Sequence, residues 1–434
     1  MPLLDGHYCI EFTLDNGLRV IQYPTGNRTT SVKLHFRDAG ALSEKNGIEN
    51  GFAHFCEHCL FKGRKLGKEG SLSARGMIPK LNAETGILDV SVYGDVLPES
   101  VPFLLELIAD FGFTPLLDHQ IVEQEKRVVL REKADEESMA AYPHIRALNR
   151  TVYPDNIRTY NVFGTPALIK GATVTSMRDF HARHYGAKNA TLIITGYVPV
   201  GIDKYVEKFF GKARQVSIEN ITLPPVTPLK KPIILHKGAY DLFDHIDTPE
   251  SSCEITMVVH APRLPDPDTY AVYAMTEILG GVDYFNARLF THVREKCGLA
   301  YEINSEYDDY EGSQDIQIEG KLPALRKEED VKNIFYAIRT LQDTPVTQEE
   351  LDTVAMRMKY KLQAATNQRN LELIEAELRG RITPHLYLEN AHKVTPDDVQ
   401  RVANRYLPDR NNNVNYAMLI RDPLKGRNDF QPRL

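Results

Sequence analysis

The sequence predicts an α+β protein made of two homologous domains joined by a linker. The chain of 434 residues is longer than a single compact core usually supports, which favours two domains. Patterns typical of strands and patterns typical of helices alternate along it. The order of those patterns in the first half recurs in the second half. Together these features indicate two related domains that each combine helices and strands.

The predicted elements of the first half run from residue 31 to residue 195. Alternation of apolar and polar residues predicts strands at 31–36 and 87–93, and an apolar run predicts a buried strand at 189–195. A histidine-bearing helix follows the first strand. Helical periodicity covers residues 101–110, 118–140 and 175–185. We assign residues 1–212 to the N-terminal domain.

A proline-rich stretch separates the two halves. Residues 223–232 include four prolines, which continue neither a helix nor a central strand, so we place a linker at 213–237. The C-terminal domain is then 238–434. It has predicted strands at 254–260 and 314–319, a helix containing 284–290 and a long helix over about 347–367. Residues 394–406 repeat the pattern of 174–185, and residues 415–420 repeat that of 189–195.

The composition excludes several classes of function. No apolar run is long enough to cross a bilayer, and the first residues lack the basic and apolar regions of a secretory signal. We therefore expect a cytoplasmic protein without membrane contact. A net charge of −7 with no basic block argues against nucleic acid as a partner. The five cysteines are few and scattered, which fits a reducing compartment.

The most informative local pattern lies in the stretch GFAHFCEHCLFKG at residues 51–63, where His54, Glu57 and His58 form H-x-x-E-H. Residues four apart lie on one face of a helix, so both imidazoles can bind one metal ion while Glu57 remains beside it as a base. Cys56 and Cys59 form a C-x-x-C in the same stretch. The sequence has no second such pair to complete a four-thiolate zinc site and no thioredoxin-like surround, so packing against apolar neighbours is favoured over a redox role.

A catalytic zinc site needs a third protein ligand besides the two histidines. The segment 123–133 offers Glu125 and Glu132, which are two helical turns apart and therefore face the same way. One of these carboxylates can bind the metal while the other lies farther along the same cleft. The spacing by itself leaves the choice between them open.

With these residues the chain resembles the pitrilysin (insulinase) family of zinc peptidases, also called inverzincins, over nearly its whole length. It is most similar to a short, two-domain subfamily related to the mitochondrial processing peptidase. The family's histidine signature is met from Gly51 to Gly63, and its downstream acidic motif by Glu125 and Glu132. Its Asn-Ala pair is matched by Asn82-Ala83, and its second-domain motif R-E-K-x-G-L-A-Y by residues 294–301.

The resemblance implies a fold and a metal site. Each domain would pack helices on a mainly antiparallel sheet. One Zn²⁺ per chain would be held by His54, His58 and Glu132. Glu57 would be the general base, and Glu125 an auxiliary acidic residue of the catalytic site.

The resemblance also implies how a substrate is held. Arg294 and Tyr301 would reach the catalytic site, bind the substrate backbone and assist catalysis. Asn82 and Ala83 would belong to the substrate-binding segment, where an extended peptide pairs as an added β-strand. We expect a zinc endopeptidase that hydrolyses short or unfolded peptides.

Partners and competing functions follow from the same likeness. Larger relatives carry four such domains and enclose the substrate, so a two-domain chain would need a second copy or a paralogue. A homodimer is expected, with a heterodimer as the alternative. A maturation protease for one ribosomally made precursor peptide shares the chemistry and stays open. A noncatalytic structural subunit is disfavoured by the intact His-Glu-His set, and a non-peptidase zinc hydrolase by the Arg294 and Tyr301 element.

Overall fold

In the computed structural model two β-sheets, each packed with helices, account for most of the chain. The residues that the structure describes are 9–60, 80–139, 142–154, 157–216, 221–223, 226–238, 252–282, 284–295, 302–310, 312–323, 327–408 and 414–422. Both sheets are largely antiparallel, so the predicted α+β class is confirmed. Among the described helices, none is both long enough and apolar enough to cross a membrane.

The first sheet has six strands in the order β1-β2-β6-β3-β5-β4. All neighbours are antiparallel except β2 and β6, which are parallel. Among the described strands, β4 pairs only with β5 and forms one edge. The strands are β1 Ile10–Thr13, β2 Arg19–Pro24, β3 Thr30–Arg37, β4 Lys80–Thr85, β5 Asp89–Val96 and β6 Ala190–Gly196.

Helices cover one face of the first sheet and bury its apolar side chains. Val32, Leu34 and Phe36 alternate along β3 and join the hydrophobic core with residues of those helices. The helices that accompany these strands along the chain are α1 Phe52–Leu60, α2 Val101–Phe113, α3 His119–Ser138, α4 Tyr142–Val152, α5 Pro166–Gly171, α6 Val174–His184 and α7 Ile202–Phe210.

The intervening residues of β3 point to the opposite face of the first sheet. Lys33 and His35 are only 1% and 4% exposed there, so this face is buried although it is polar. The Lys33 ammonium bonds to Glu84 of β4 and to Glu375. A buried charge costs free energy unless it is paired, and these carboxylates supply the pairing.

The second sheet has five strands in the order β7-β11-β8-β10-β9, with only β7 and β11 parallel. Its strands are β7 Ile233–Gly238, β8 Ser252–His260, β9 Glu302–Tyr310, β10 Ser313–Pro323 and β11 Ala417–Asp422. The helices of this half of the chain are α8 Asp268–Gly280, α9 Lys327–Asp343, α10 Gln348–Gln363, α11 Asn367–Leu378, α12 Pro384–Asn390 and α13 Pro396–Tyr406. The greater part of α11, up to Glu375, belongs to the unit of the first sheet. The helix predicted to contain residues 284–290 is wrong for residues 284–287, which form a turn; helical structure begins at residue 288 and continues as a short π-type segment, Phe290–Glu295.

The same succession of elements occurs twice. A strand, a helix, two antiparallel strands and two helices run from β3 to α3 and again from β8 to α10. The helices α6 and α13 both begin with capping boxes, at Thr173 and Thr395. Strands β6 and β11 then return to the middle of their sheets. The duplication predicted from the sequence is therefore visible in the fold.

The two compact units of the chain are assembled from interleaved segments. Residues 1–139, 160–223 and 365–375 form the first unit, and 140–159, 224–364 and 376–434 form the second. The boundaries predicted from the sequence are continuous and contain no such exchange. Packing explains the first exchanged segment, because Leu148 and Val152 of α4 lie in an apolar cluster with Val258 and Leu419 of the second sheet.

Candidate metal centre and active site

The first turn of helix α1 is held by the half-buried carboxyl group of Glu44 and by the close approach of the backbone at Phe163 and Gly164. Glu44 accepts hydrogen bonds from the backbone N–H of Gly51, at 2.9 Å, and of Ala53, at 2.8 Å. Gly51 has a φ of +98°, and a side chain on it would meet the Phe163 carbonyl and Gly164. Glu44 therefore caps α1 from outside the helix, and Gly51 allows the chain to enter it.

Helix α1 has one face in the core and one face bearing the histidines. Phe55, Cys56 and Cys59 are fully buried in the apolar core. Burial raises the pKa of the Cys56 thiol to about 12, so this sulfur stays protonated and unreactive at neutral pH. This environment favours the packing role predicted for the two cysteines.

The structure brings together the three side chains that the resemblance named as metal ligands. The Nε2 atoms of His54 and His58 are 3.3 Å apart. Glu132, on α3, places its Oε2 atom 3.1 Å from His58 Nε2 and 3.7 Å from His54 Nε2. Helices α1 and α3 therefore converge at one point although their ligand residues are far apart in the chain.

These three distances fit a zinc ion. Tetrahedral zinc binds nitrogen and oxygen ligands at about 2.0–2.1 Å, which separates two ligand atoms by roughly 3.3–3.4 Å. The three separations found here bracket that value. The Nδ1 atom of His54 is buried without a hydrogen-bond partner among the described residues. The donor set of two imidazoles and one carboxylate is typical of catalytic zinc.

Glu57 lies beside the ligands and is held by another strand. Its Oε2 atom is 4.0 Å from His54 Nε2 and accepts a hydrogen bond from the Thr85 hydroxyl at 3.3 Å. A grouping of Glu57 with both histidines is also geometrically possible. We assign ligation to Glu132 because its oxygen is close to both imidazole nitrogens, whereas Thr85 holds Glu57 to one side.

The protonation states of these groups suit the assignment. Burial, assisted by His58, lowers the pKa of His54 to about 3, so its imidazole is neutral and can donate a lone pair. Burial raises the pKa of Glu57 to about 7, against the opposing effect of His58 and the Thr85 hydrogen bond. A carboxylate with a pKa near neutrality is suited to accept and release a proton.

Glu125 lies behind the ligands. It is buried, and its Oε2 atom is 3.5 Å from Nδ1 of His58, the ring nitrogen opposite the one that faces Glu132. Although burial lowers the pKa of His58, the Glu125 hydrogen bond and the nearby carboxylates outweigh it and raise the pKa. A carboxylate in this place fixes the orientation of the ring and strengthens it as a ligand. We therefore describe Glu125 as a positioning residue.

Asn82 and Ala83 lie within edge strand β4. Ala83 packs against the core on the same side of the sheet as α1. The amide of Asn82 is 3.4 Å from the Tyr93 hydroxyl on the opposite face. Tyr301 is outside the described residues. Arg294 lies in the segment Phe290–Glu295, but its side chain is not among those described.

The second unit places fixed cations where its duplicated helices meet. Helices α8 and α10 correspond to α1 and α3 in the order of elements, and the cap residues Asp118 and Thr347 align Glu132 with Lys361. Glu277 of α8 bonds to Lys361 at 2.9 Å and to Arg357 at 3.3 Å. A side-chain ammonium therefore neutralises this carboxylate, and the described groups here form no counterpart of the histidine site.

Three supporting residues have little signal in the sequence. Glu44 accepts from the backbone of α1, and Thr85 bonds to Glu57. The Phe163 ring lies 4.8 Å from the ring of His54. None belongs to a local pattern. Of the three, only Thr85 could have been suspected from the sequence, because it follows the Asn82-Ala83 pair on the same strand.

Two family models match this chain. The family model described as Insulinase (Peptidase family M16) matches residues 20–165, and the model described as Peptidase M16 inactive domain matches residues 171–358. The chain is a member of the M16, or insulinase, peptidase family.

Relatives in sequence support this membership, and a solved structure has the same fold. The chain is 26% identical over 367 residues to the uncharacterized zinc protease YmxG of Bacillus subtilis, covering 83% of this chain and 85% of that protein. It is 29% identical to the mitochondrial-processing peptidase subunit beta of Saccharomyces cerevisiae, over 46% of this chain and 43% of that one. The crystal structure of a protease from Helicobacter pylori has the same fold, with a TM-score of 0.77, 21% identity and coverage of 95% and 99%.

Proposed function

We propose that this protein is a zinc-dependent endopeptidase that hydrolyses peptide bonds in short or unfolded peptides. The observation that carries the proposal is the convergence of His54, His58 and Glu132, at separations of 3.1–3.7 Å, with Glu57 beside them. Membership of a peptidase family whose relatives include named zinc proteases supports it.

The three ligands would hold one Zn²⁺ per chain. When bound there, zinc supplies Lewis acidity, which lowers the pKa of water and polarises a carbonyl group. Glu57 takes a proton from the attacking water and later delivers it to the departing amine, which suits its raised pKa. Thr85 keeps the Glu57 carboxylate turned toward this position. Arg294 and Tyr301 keep their predicted role in holding the substrate, which an Arg294→Ala variant tests through KM.

The substrate would bind as an added strand along β4. That strand has a free edge among the described strands, and Thr85 links it directly to Glu57. Pairing through the backbone places the peptide without requiring particular side chains, so a range of extended sequences can bind. A folded protein cannot offer an extended strand in this way.

Assembly and location belong to the same proposal. We propose a homodimer that closes a chamber around the peptide, or a heterodimer with a paralogue, in the cytoplasm. Sedimentation of the purified protein distinguishes these arrangements from a fully active monomer. A maturation protease for one precursor peptide has the same site and differs only in substrate range. A noncatalytic structural subunit is opposed by the complete set of ligands and base.

Metal analysis combined with peptide cleavage tests the function. We expect about one zinc per chain, cleavage of an unstructured peptide, loss of cleavage with a chelator and recovery on adding Zn²⁺. Glu57→Gln should retain zinc and lose turnover, whereas Glu123→Gln, an exposed change on α3, should keep both. Zinc-free protein that still cleaves, or full turnover by Glu57→Gln, would refute the proposal.

A further inference from the structure

We propose that Phe163 is a positioning residue of the metal centre, and that the face of its ring accepts the Nδ1–H group of His54. The inference rests on the proposed function, because it concerns His54 as a ligand of zinc. It identifies the group that orients the first metal-binding imidazole, as Glu125 orients the second.

The two imidazoles are supported unequally by the described residues. Nδ1 of His58 lies 3.5 Å from the Glu125 carboxylate, whereas Nδ1 of His54 is buried and has no hydrogen-bond partner among those residues. An imidazole that binds a metal through Nε2 carries its one proton on Nδ1. A buried donor without an acceptor costs free energy, and histidine ligands nearly always donate this proton to a second group. His54 therefore needs an acceptor of another kind.

The ring of Phe163 lies where such an acceptor is needed. Its centre is 4.8 Å from the centre of the His54 ring, and the planes of the two rings are inclined by 81°. In this edge-to-face arrangement the positive edge of one ring meets the negative face of the other, and an N–H group on that edge can donate to the face. The other described ring against His54 is that of His58, but it lies on the Nε2 side, since the two Nε2 atoms are 3.3 Å apart. Among the described rings, Phe163 is therefore the candidate acceptor for Nδ1.

A tight turn holds Phe163 against the start of α1. The carbonyl group of Asn161 accepts the N–H of Gly164 at 3.1 Å, and the side-chain oxygen of Asn161 accepts the N–H of Phe163 at 2.9 Å. Asparagine in the first position and glycine in the fourth are typical of such a turn. A side chain on Gly51 would lie 2.8 Å from the Phe163 carbonyl oxygen, so the turn and the start of α1 are in direct backbone contact. This contact fixes the ring of Phe163 relative to His54, which follows Gly51 by three residues.

The two kinds of support have different consequences for the metal. A carboxylate behind a histidine orients the ring and also raises its basicity as a ligand. An aromatic face orients the ring through a weaker contact and adds no charge. Loss of the Phe163 ring should therefore lower zinc affinity less than loss of the Glu125 carboxylate does. Because Phe163 is only half-buried, contact with a substrate side chain is the competing interpretation, and it predicts a change in KM instead.

Zinc affinity, measured by dye competition on the full-length protein, tests the contribution of the ring. Phe163→Leu keeps an apolar side chain and removes the ring, so we expect the dissociation constant for zinc to rise by about three- to tenfold. Phe163→Tyr keeps the aromatic face and should bind zinc as the wild type does. Tyr336→Leu is the matched control, because Tyr336 makes an edge-to-face contact with His292, at 5.1 Å and 77°, in the second unit. Equal zinc affinities in the wild type and Phe163→Leu, whether or not KM for a cleaved peptide changes, would overturn the proposal.

An NMR spectrum of the zinc-loaded protein with isotope-labelled histidines tests the contact itself. Shielding by the aromatic face should place the Nδ1 proton of His54 at higher field than that of His58, which faces a carboxylate. Phe163→Leu should move the His54 signal to lower field, and Glu125→Gln should move only the His58 signal, which assigns the pair. If Phe163→Leu does not fold, the wild-type spectrum decides, because equal fields for the two protons would contradict the contact.

Both measurements are made without substrate, so they separate this inference from the peptidase function. A protein that binds zinc and shows the expected shifts but cleaves no peptide would retain the positioning role of Phe163 while the proposed function fails. A protein that cleaves peptides with zinc but shows neither the shift nor the loss of affinity would retain the proposed function while this inference fails.

Discussion

Replacing Glu44 with alanine should weaken the metal centre without touching a ligand. Both carboxylate oxygens of Glu44 accept backbone N–H groups at the first turn of α1, from Gly51 at 2.9 Å and Ala53 at 2.8 Å. His54 is the next residue after Ala53. The position of the first metal-binding imidazole thus depends on a carboxylate from outside the helix.

The magnitude follows from the groups left unpaired. A buried backbone N–H without an acceptor costs about 1–3 kcal/mol, and the loss of a helix cap typically costs about 1 kcal/mol. Because two donors lose their acceptor and partial hydration recovers some of the loss, we expect about 3 kcal/mol from Glu44→Ala. Glu44→Gln keeps one accepting oxygen and should fall between this variant and the wild type.

Urea denaturation followed by far-ultraviolet circular dichroism measures the stability change, since the chain contains no tryptophan. Competition with a chelating dye measures zinc affinity on the same preparations. If α1 frays, zinc affinity should fall from the wild type to Glu44→Gln and further to Glu44→Ala. The exposed variant Glu11→Ala is a control for loss of charge. Wild-type stability and wild-type zinc affinity in Glu44→Ala would refute the role of this cap.

Three other outcomes are expected. Burial lowers the pKa of His181 to about 4. Its neutral form therefore stabilises the fold above pH 6.5, and up to about 3 kcal/mol of that stability is lost as the pH falls through 4. In His181→Phe, the free energy of unfolding should depend less on pH over this range. A side chain on Gly164, whose φ is +60°, would overlap the Asn50 backbone, so Gly164→Ala should lower stability by about 3 kcal/mol or more in thermal melts. The matched Gly171→Ala meets no atom within 4 Å and should change little; equal melting temperatures would contradict the first estimate. Glu125→Gln should weaken zinc binding by about 10–100-fold in dye competition, because Glu125 orients a ligand ring; unchanged affinity would exclude a positioning role.

The sequence by itself determined the features that depend on neighbouring residues. The i, i+4 histidines lie on one face of α1 because the helical period places them there. Alternation located strands such as β3 and β8, and the repeated order of elements revealed the duplication before any contact was known. The α+β class predicted from these patterns is confirmed, and so are the mainly antiparallel sheets that the family resemblance implied.

Only the tertiary structure decided which distant groups meet. Helical spacing alone did not distinguish Glu125 from Glu132 as the third ligand. The packing of α3 against α1 does: a Glu132 oxygen faces both imidazoles, whereas the Glu125 carboxylate lies behind the His58 ring. The cap by Glu44 and the sharing of Lys33 between Glu84 and Glu375 depend in the same way on packing between separate elements. The assignment of residues 140–159 to the second unit and of residues 365–375 to the first also depends on such packing. Local periodicity records how a segment folds and which face it buries, but it carries no information on which other segment will cover that face.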